Sequence, residues 1–191
     1  MGAVVELRRD GSHDVILEIL DHLWETKRQS IALLETWLAK TPDHEIKVGL
    51  ATHLTDERRH FRLLGEEIKR RGGRPVAPLH DLLGRPFGVA QAQSKDIYRV
   101  GVLYRGIKAF TVLRCCRLLP LVDAGLARTL DQITREEEGH IRWAEIRLGR
   151  IRDMGERRQC DAVVDEVEGA LELIWARPWR QLSAAGLRKA S

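Results

Sequence analysis

The stretch Leu54-Thr55-Asp56-Glu57-Arg58-Arg59-His60-Phe61-Arg62-Leu63-Leu64 sets a Glu-x-x-His motif inside an apolar repeat, and Ile133-Thr134-Arg135-Glu136-Glu137-Glu138-Gly139-His140-Ile141-Arg142-Trp143-Ala144 repeats the arrangement. At about 3.6 residues per turn, positions i and i+3 share a helix face, so each glutamate and histidine can converge on one ion. Leu50, Leu54, Phe61 and Leu64 flank the first pair, and Leu130, Ile133, Ile141 and Ala144 flank the second, so both motifs fall on core-facing stripes. Burying two carboxylates and two imidazoles in apolar surroundings costs several kcal/mol unless they are paired or coordinated, and a bound cation removes that cost.

Working outward, the first motif sits in a helix that Thr41-Pro42 opens as cap and first-turn proline and Gly72-Gly73 stops. Before it, Ile16, Leu17, Leu20, Leu23, Trp24, Ile31, Leu34 and Leu38 recur at helical steps, predicting a helix capped by Ser12 and running through Ala39. The stretch 74–93, with Pro75, Pro78, Gly84, Pro86 and Gly88, reads as a long, mostly irregular crossover. A third helix runs from Ser94 to about Leu119, and Asp123 opens a fourth that carries the second motif and reaches Met154. A last helix over 158–176 ends before Pro178. The expected architecture is all-α: a four-helix bundle over 1–155 with one long crossover, and an additional C-terminal helix and tail over 156–191, packed on the outside or on a partner chain.

With two motifs on the second and fourth helices, the chain resembles the ferritin-like superfamily of di-iron carboxylate proteins, of the bacterioferritin and rubrerythrin kind. The resemblance rests on Asp56-Glu57-x-x-His60 and Glu137-Glu138-Gly139-His140-Ile141-x-Trp143, and covers about 12–155. It implies that Glu57 and Glu137 bridge two metal ions, that His60 and His140 each bind one, and that the first and third helices each add a carboxylate. It implies iron, one or two ions, with manganese or zinc as substitutes, and an oxidase, ferroxidase or peroxide-handling activity toward a small-molecule oxidant. Any enzyme here is then an iron-dependent oxidoreductase.

The flanking helices depart from that pattern. Glu25 has the right spacing before Glu57 for the first-helix ligand, yet on the wheel it shares a face with Glu18, Asp21 and Arg28, and an ungapped register falls on Trp24. In the third helix there is no carboxylate between Asp96 and Asp123, and the equivalent position falls on Tyr104 or Arg105, with Lys108 one turn on. Two readings follow. A degenerate site keeps metal on Glu25, Glu57, His60, Glu137 and His140, with Tyr104 beside it as a redox-active or hydrogen-bonding group. Alternatively, Arg105 or Lys108 replaces the lost metal charge in a metal-free charge network, and the bundle is a catalytically silent structural or interaction protein.

Composition narrows the remaining classes. The chain has 191 residues, 43% of them hydrophobic and 31% charged, which suits one helical domain and argues against disorder. Its net charge of +4 is modest, but the third helix holds Lys95, Arg99, Arg105, Lys108, Arg114 and Arg117 against Asp96 alone. No recognition motif or stacking platform accompanies those charges or Arg177, Arg180, Arg188 and Lys189, so no nucleic-acid partner is expected. No apolar run of membrane-spanning length exists, Met1–Leu7 has no signal-peptide character, and Cys115, Cys116 and Cys160 suggest a reducing compartment, so a cytoplasmic location is the expectation; a homodimer is the expected assembly. Trp24, Trp37 and Trp143 read as packing residues, and His22 and His53 as ordinary histidines.

Overall fold

The computed structural model describes residues 12–75 and 80–184, and among them every regular element is helical. The helices are α1 (Ser12–Lys40), α2 (His44–Arg70), α3 (His80–Ala92), α4 (Asp96–Val100), a π-helical stretch (Gly101–Lys108), α5 (Ala109–Leu118), α6 (Ala124–Leu148) and α7 (Met154–Ala184). The segment α4, π stretch and α5 forms one continuous rod. No helix of the described residues is long and apolar enough to cross a membrane. The side chain of Ser12, residues 1–11 and the basic residues Arg188 and Lys189 lie outside the described part.

Two hairpins make the bundle. In the first, Thr41 N–H donates to the Trp37 carbonyl at 2.8 Å, and Asp43, not Thr41, caps α2 by accepting from Ile46 N–H at 2.9 Å. The correction has a simple cause: the Asp43 carboxylate is the stronger acceptor and reaches the first free amides of the helix. In the second, Asp123 caps α6 through Gly125 and Leu126 N–H at 2.9 and 3.0 Å, as its position predicts. Gly72, at φ +78°, ends the α2 region in the left-handed conformation. Helices α2 and α6 lie antiparallel, since Arg71 pairs with Asp123 at one end and Glu45 accepts from Arg150 at 3.0 Å at the other.

Three segments differ from the sequence reading. The crossover is not irregular: 80–92 is helical, and Leu83, Phe87 and Ala90 form a buried stripe that docks on α1 and α7 despite Pro86. Helix α6 ends at Leu148 rather than near Met154, because Asp153 starts a new helix by accepting from Glu156 N–H at 2.8 Å. That helix, α7, continues through Pro178 to Ala184, since Trp175, Pro178 and Leu182 keep one buried face in register across the proline. Helix α7 packs along α1, α3 and the π stretch, and Val167, Leu171 and Trp175 belong to the common core.

The π stretch owes its position to close packing on α7. A Cβ on Gly101 would stand 2.6 Å from Cys160 Sγ, and one on Gly106 would stand 3.2 Å from Val167 Cγ1. Only Arg105 of this stretch reaches solvent, pairing outward with Asp161 at 2.7 Å and Glu145 at 3.2 Å. Replacing Gly101 by alanine should destabilise the protein by about 1–3 kcal/mol through overpacking. Adding Cys160→Ala should recover part of the loss, as read from urea unfolding midpoints at unchanged m-value.

Candidate functional site

In α1 the inward seam runs Leu20, Leu23, Lys27, Ser30, Leu34, in steps of three and four, so the helix delivers a lysine to the core. On the rod, the sequence Tyr104, Lys108, Thr111, Cys115 does the same. Helices α2 and α6 contribute Glu57 with His60 and Glu137 with His140, all buried. Four helical elements thus bring two ammonium groups and two carboxylates to one point inside the bundle.

Each lysine reaches both glutamates. Lys27 Nζ donates to Glu137 and lies 3.3 Å from Glu57 Oε2. Lys108 Nζ donates to Glu57 and to Glu137 Oε2, the latter at 2.6 Å. The closest bonds cross between hairpins: the lysine of the first hairpin holds the glutamate of the second, and the reverse. Glu57 Oε2 is buried and accepts no hydrogen bond, having the Lys27 ammonium as its facing charge. Burial alone would push the Glu137 carboxyl up and the Lys27 amine down. Lys108 and Lys27 outweigh it for Glu137, held well below the ordinary 4.5, and Glu137 and Glu57 outweigh it for Lys27, raised above the ordinary 10.5.

A second layer orients the imidazoles. His60 Nε2 lies 2.6 Å from Glu136 Oε2, and His140 Nε2 lies 2.9 Å from Asp56 Oδ2, so each histidine is held by the acid of the opposite helix. Arg59 joins the two acids, at 2.7 Å from Asp56 and 2.5 Å from Glu136, at the partly exposed edge of the cluster. The other ring nitrogen, Nδ1, faces Glu137 at 3.2 Å in both cases.

Tyr104 lies beside this group, not in it. Its hydroxyl is 2.6 Å from His53 Nδ1, and the Lys108 ammonium lies 5.5 Å from its ring centroid. Burial, then the Glu57 and Glu137 charges, hold the phenol well above its ordinary 10.0, so it stays protonated. His53 is pushed down to about 2, by burial first and then by His140 and Lys108, and is neutral. His53 also packs against His140, with ring centroids 3.9 Å apart and the planes tilted by 37°, and meets Trp143 edge-on. His22 bonds the Glu18 carbonyl at 2.7 Å and is remote in role from the cluster.

The structure does not bring Glu25 to the cluster. It is buried, not wet as its wheel position suggests, and its oxygens take bonds from Arg28 at 2.6 and 2.7 Å and from Gln29 at 2.9 Å. Arg105 faces outward, so of the two cations weighed for the lost metal charge it is Lys108 that points inward. Lys27 was missed, although the gap in the apolar stripe between Trp24 and Ile31 marks where polar side chains enter the core. Asp56 and Glu136 were also missed as supports, although each directly precedes a motif glutamate.

Donor atoms of Glu57, Glu137 and His140 lie within 4.8 Å of one another, a spacing a single ion could use. Two divalent ions do not fit. The cluster offers two central carboxylates, both engaged by lysines, and their charges already cancel. Comparison with known proteins adds nothing to this geometry: no family model, no curated protein and no solved structure matches the chain.

Two measurable consequences follow. Removing one partner of a buried ion pair typically costs about 3–5 kcal/mol, so Lys108→Met should lower unfolding stability by that order. Adding Glu57→Gln should restore most of it, a positive coupling in a double-mutant cycle. The pH profile should be a plateau with two flanks. Glu137, with a lowered folded pKa, contributes above 4.5 and loses that contribution as pH falls below it; Lys27, with a raised one, contributes below 10.5 and loses it as pH rises further. His53 bends the acid flank first. Below 6.5 the unfolded chain takes up a proton that the folded chain refuses until about pH 2. Stability there should fall by up to about 1.4 kcal/mol per pH unit, and His53→Gln should remove that slope between pH 6.5 and 4.5 in denaturant titrations.

Proposed function

We propose that this chain is a ferritin-like helical bundle that works without metal, a catalytically silent structural or interaction protein rather than an iron-dependent oxidoreductase. The observation that carries this reading is the engagement of Glu57 and Glu137 by both Lys27 and Lys108. In the resembling family, two carboxylates bridge two cations inside a bundle of this kind. Here two ammonium groups face the same two carboxylates, within about one turn of positions 24 or 25 and 104 or 105, where the resemblance looks for further carboxylates. The lysines supply two positive charges, which balance the glutamates, and they offer no vacant coordination position for an oxidant.

A second reading is a single-metal protein using iron, manganese or zinc for oxidase, ferroxidase or peroxide chemistry. It is favoured by the Glu57, Glu137 and His140 donor atoms lying within 4.8 Å of one another. It requires both ammonium groups to leave, since each of them bonds at least one of those carboxylates.

Metal analysis of protein purified without chelators, followed by anaerobic Fe(II) addition, separates the two. The metal-free reading expects less than a tenth of an equivalent before and after addition. One or two equivalents of iron or manganese, lost in a Glu57→Gln/Glu137→Gln variant, would establish the metalloprotein instead.

A further inference from the structure

We infer that Lys27 and Lys108 mask a divalent-metal site whose ligands and supports are otherwise in place, so that removing the two ammonium groups is enough to give the chain metal affinity. This rests on the metal-free reading above and deepens it: the lysines are the determinant, and the loss of further carboxylates is secondary.

Three observations converge. The first is the pairing of two carboxylates with two buried ammonium groups, which take up the negative charge a divalent ion would neutralise. The second is the orientation of the imidazoles. With Nε2 of His60 held by Glu136 and Nε2 of His140 held by Asp56, both rings set Nδ1 beside Glu137, at 3.2 Å. Nδ1 of each ring and the Glu137 oxygens are thereby brought together as donors that a cation would share. Holding a histidine through its far nitrogen by a carboxylate is also how metal-ligating imidazoles are fixed. The third is Glu57 Oε2, a buried carboxylate oxygen without a hydrogen bond. Glu57, Glu137 and His140, with donor atoms within 4.8 Å of one another, suit a borderline divalent ion, and the two carboxylates carry the charge to neutralise it.

The lysines are also the only members of the inner group whose replacement removes no donor. Lys27→Met/Lys108→Met shortens each side chain by only its terminal atom and removes both charges. Co(II) is the probe, because its visible absorption reports nitrogen and oxygen ligation without any turnover. The double variant should bind about one equivalent of Co(II) or Zn(II), with new visible bands and a higher Tm in the presence of Zn(II), while the native chain binds at least a hundredfold more weakly. Adding His60→Ala/His140→Ala should abolish the bands. If the double variant folds only with Zn(II) present, that dependence itself supports the inference. If it does not fold at all, Lys108→Met alone carries the test and should bind Co(II) at least tenfold more tightly than the native chain.

A folded variant with no more Co(II) than the native chain, or binding indifferent to the histidine changes, would overturn the inference and leave the metal-free reading intact. Stoichiometric binding by the native chain itself would instead remove both.

Discussion

Two lysine ammonium groups and two glutamate carboxylates, enclosed by four helical elements, set the terms for the rest of this structure. Each of these charges carries a desolvation cost of several kcal/mol on entering the core, and a missing partner would leave that cost uncompensated. Their attraction offsets it only when all four arrive together: opposite charges at 4 Å attract by about 4 kcal/mol at an effective dielectric of 20. The helices must therefore meet in one arrangement. Because the closest bonds run from Lys27 to Glu137 and from Lys108 to Glu57, the group joins the two hairpins and does not merely sit within one of them.

The surrounding structure serves this requirement. On the rod, Lys108 closes the π-helical stretch, whose wider turn carries both Tyr104 and Lys108 into the interior while Arg105 alone turns out to solvent. Glycines at 101 and 106 let α7 approach closely enough to cover that stretch. Tyr104, His53 and Trp143 then wall the group with aromatic rings on one side, and the two protonation states this fixes, a neutral phenol and a neutral imidazole, add no charge to a balanced centre.

What could be read in the sequence was what local spacing decides. The burial of Glu57, His60, Glu137 and His140 follows from their place on apolar stripes, and the Asp123 cap and the stop at Gly72 follow from short-range backbone chemistry. What could not be read depends on distant packing. The π stretch reads as ordinary helix because its wide turn is a response to α7. The helix at 80–92 is hidden by its proline and glycines, whose helix-breaking tendency is overridden by a buried stripe of Leu83, Phe87 and Ala90. Lys27 was hidden by its charge: a lysine in an apolar seam reads as surface until a buried partner is known, and its partners lie 30 and 110 residues away. Glu25 misled for the opposite reason, since a carboxylate at the right spacing is satisfied entirely by its own helix.

The crossed contacts between α2 and α6 bear on how the two hairpins find each other. Leucine seams alone are nearly degenerate, because a helix displaced by one turn still sets apolar residues against apolar residues. Asp56 with His140 and Glu136 with His60 remove that freedom, since a slip in either direction parts both pairs at once. The polar layer thus acts as an alignment key with a built-in symmetry: it reads the same from either helix, and it admits a single offset between them.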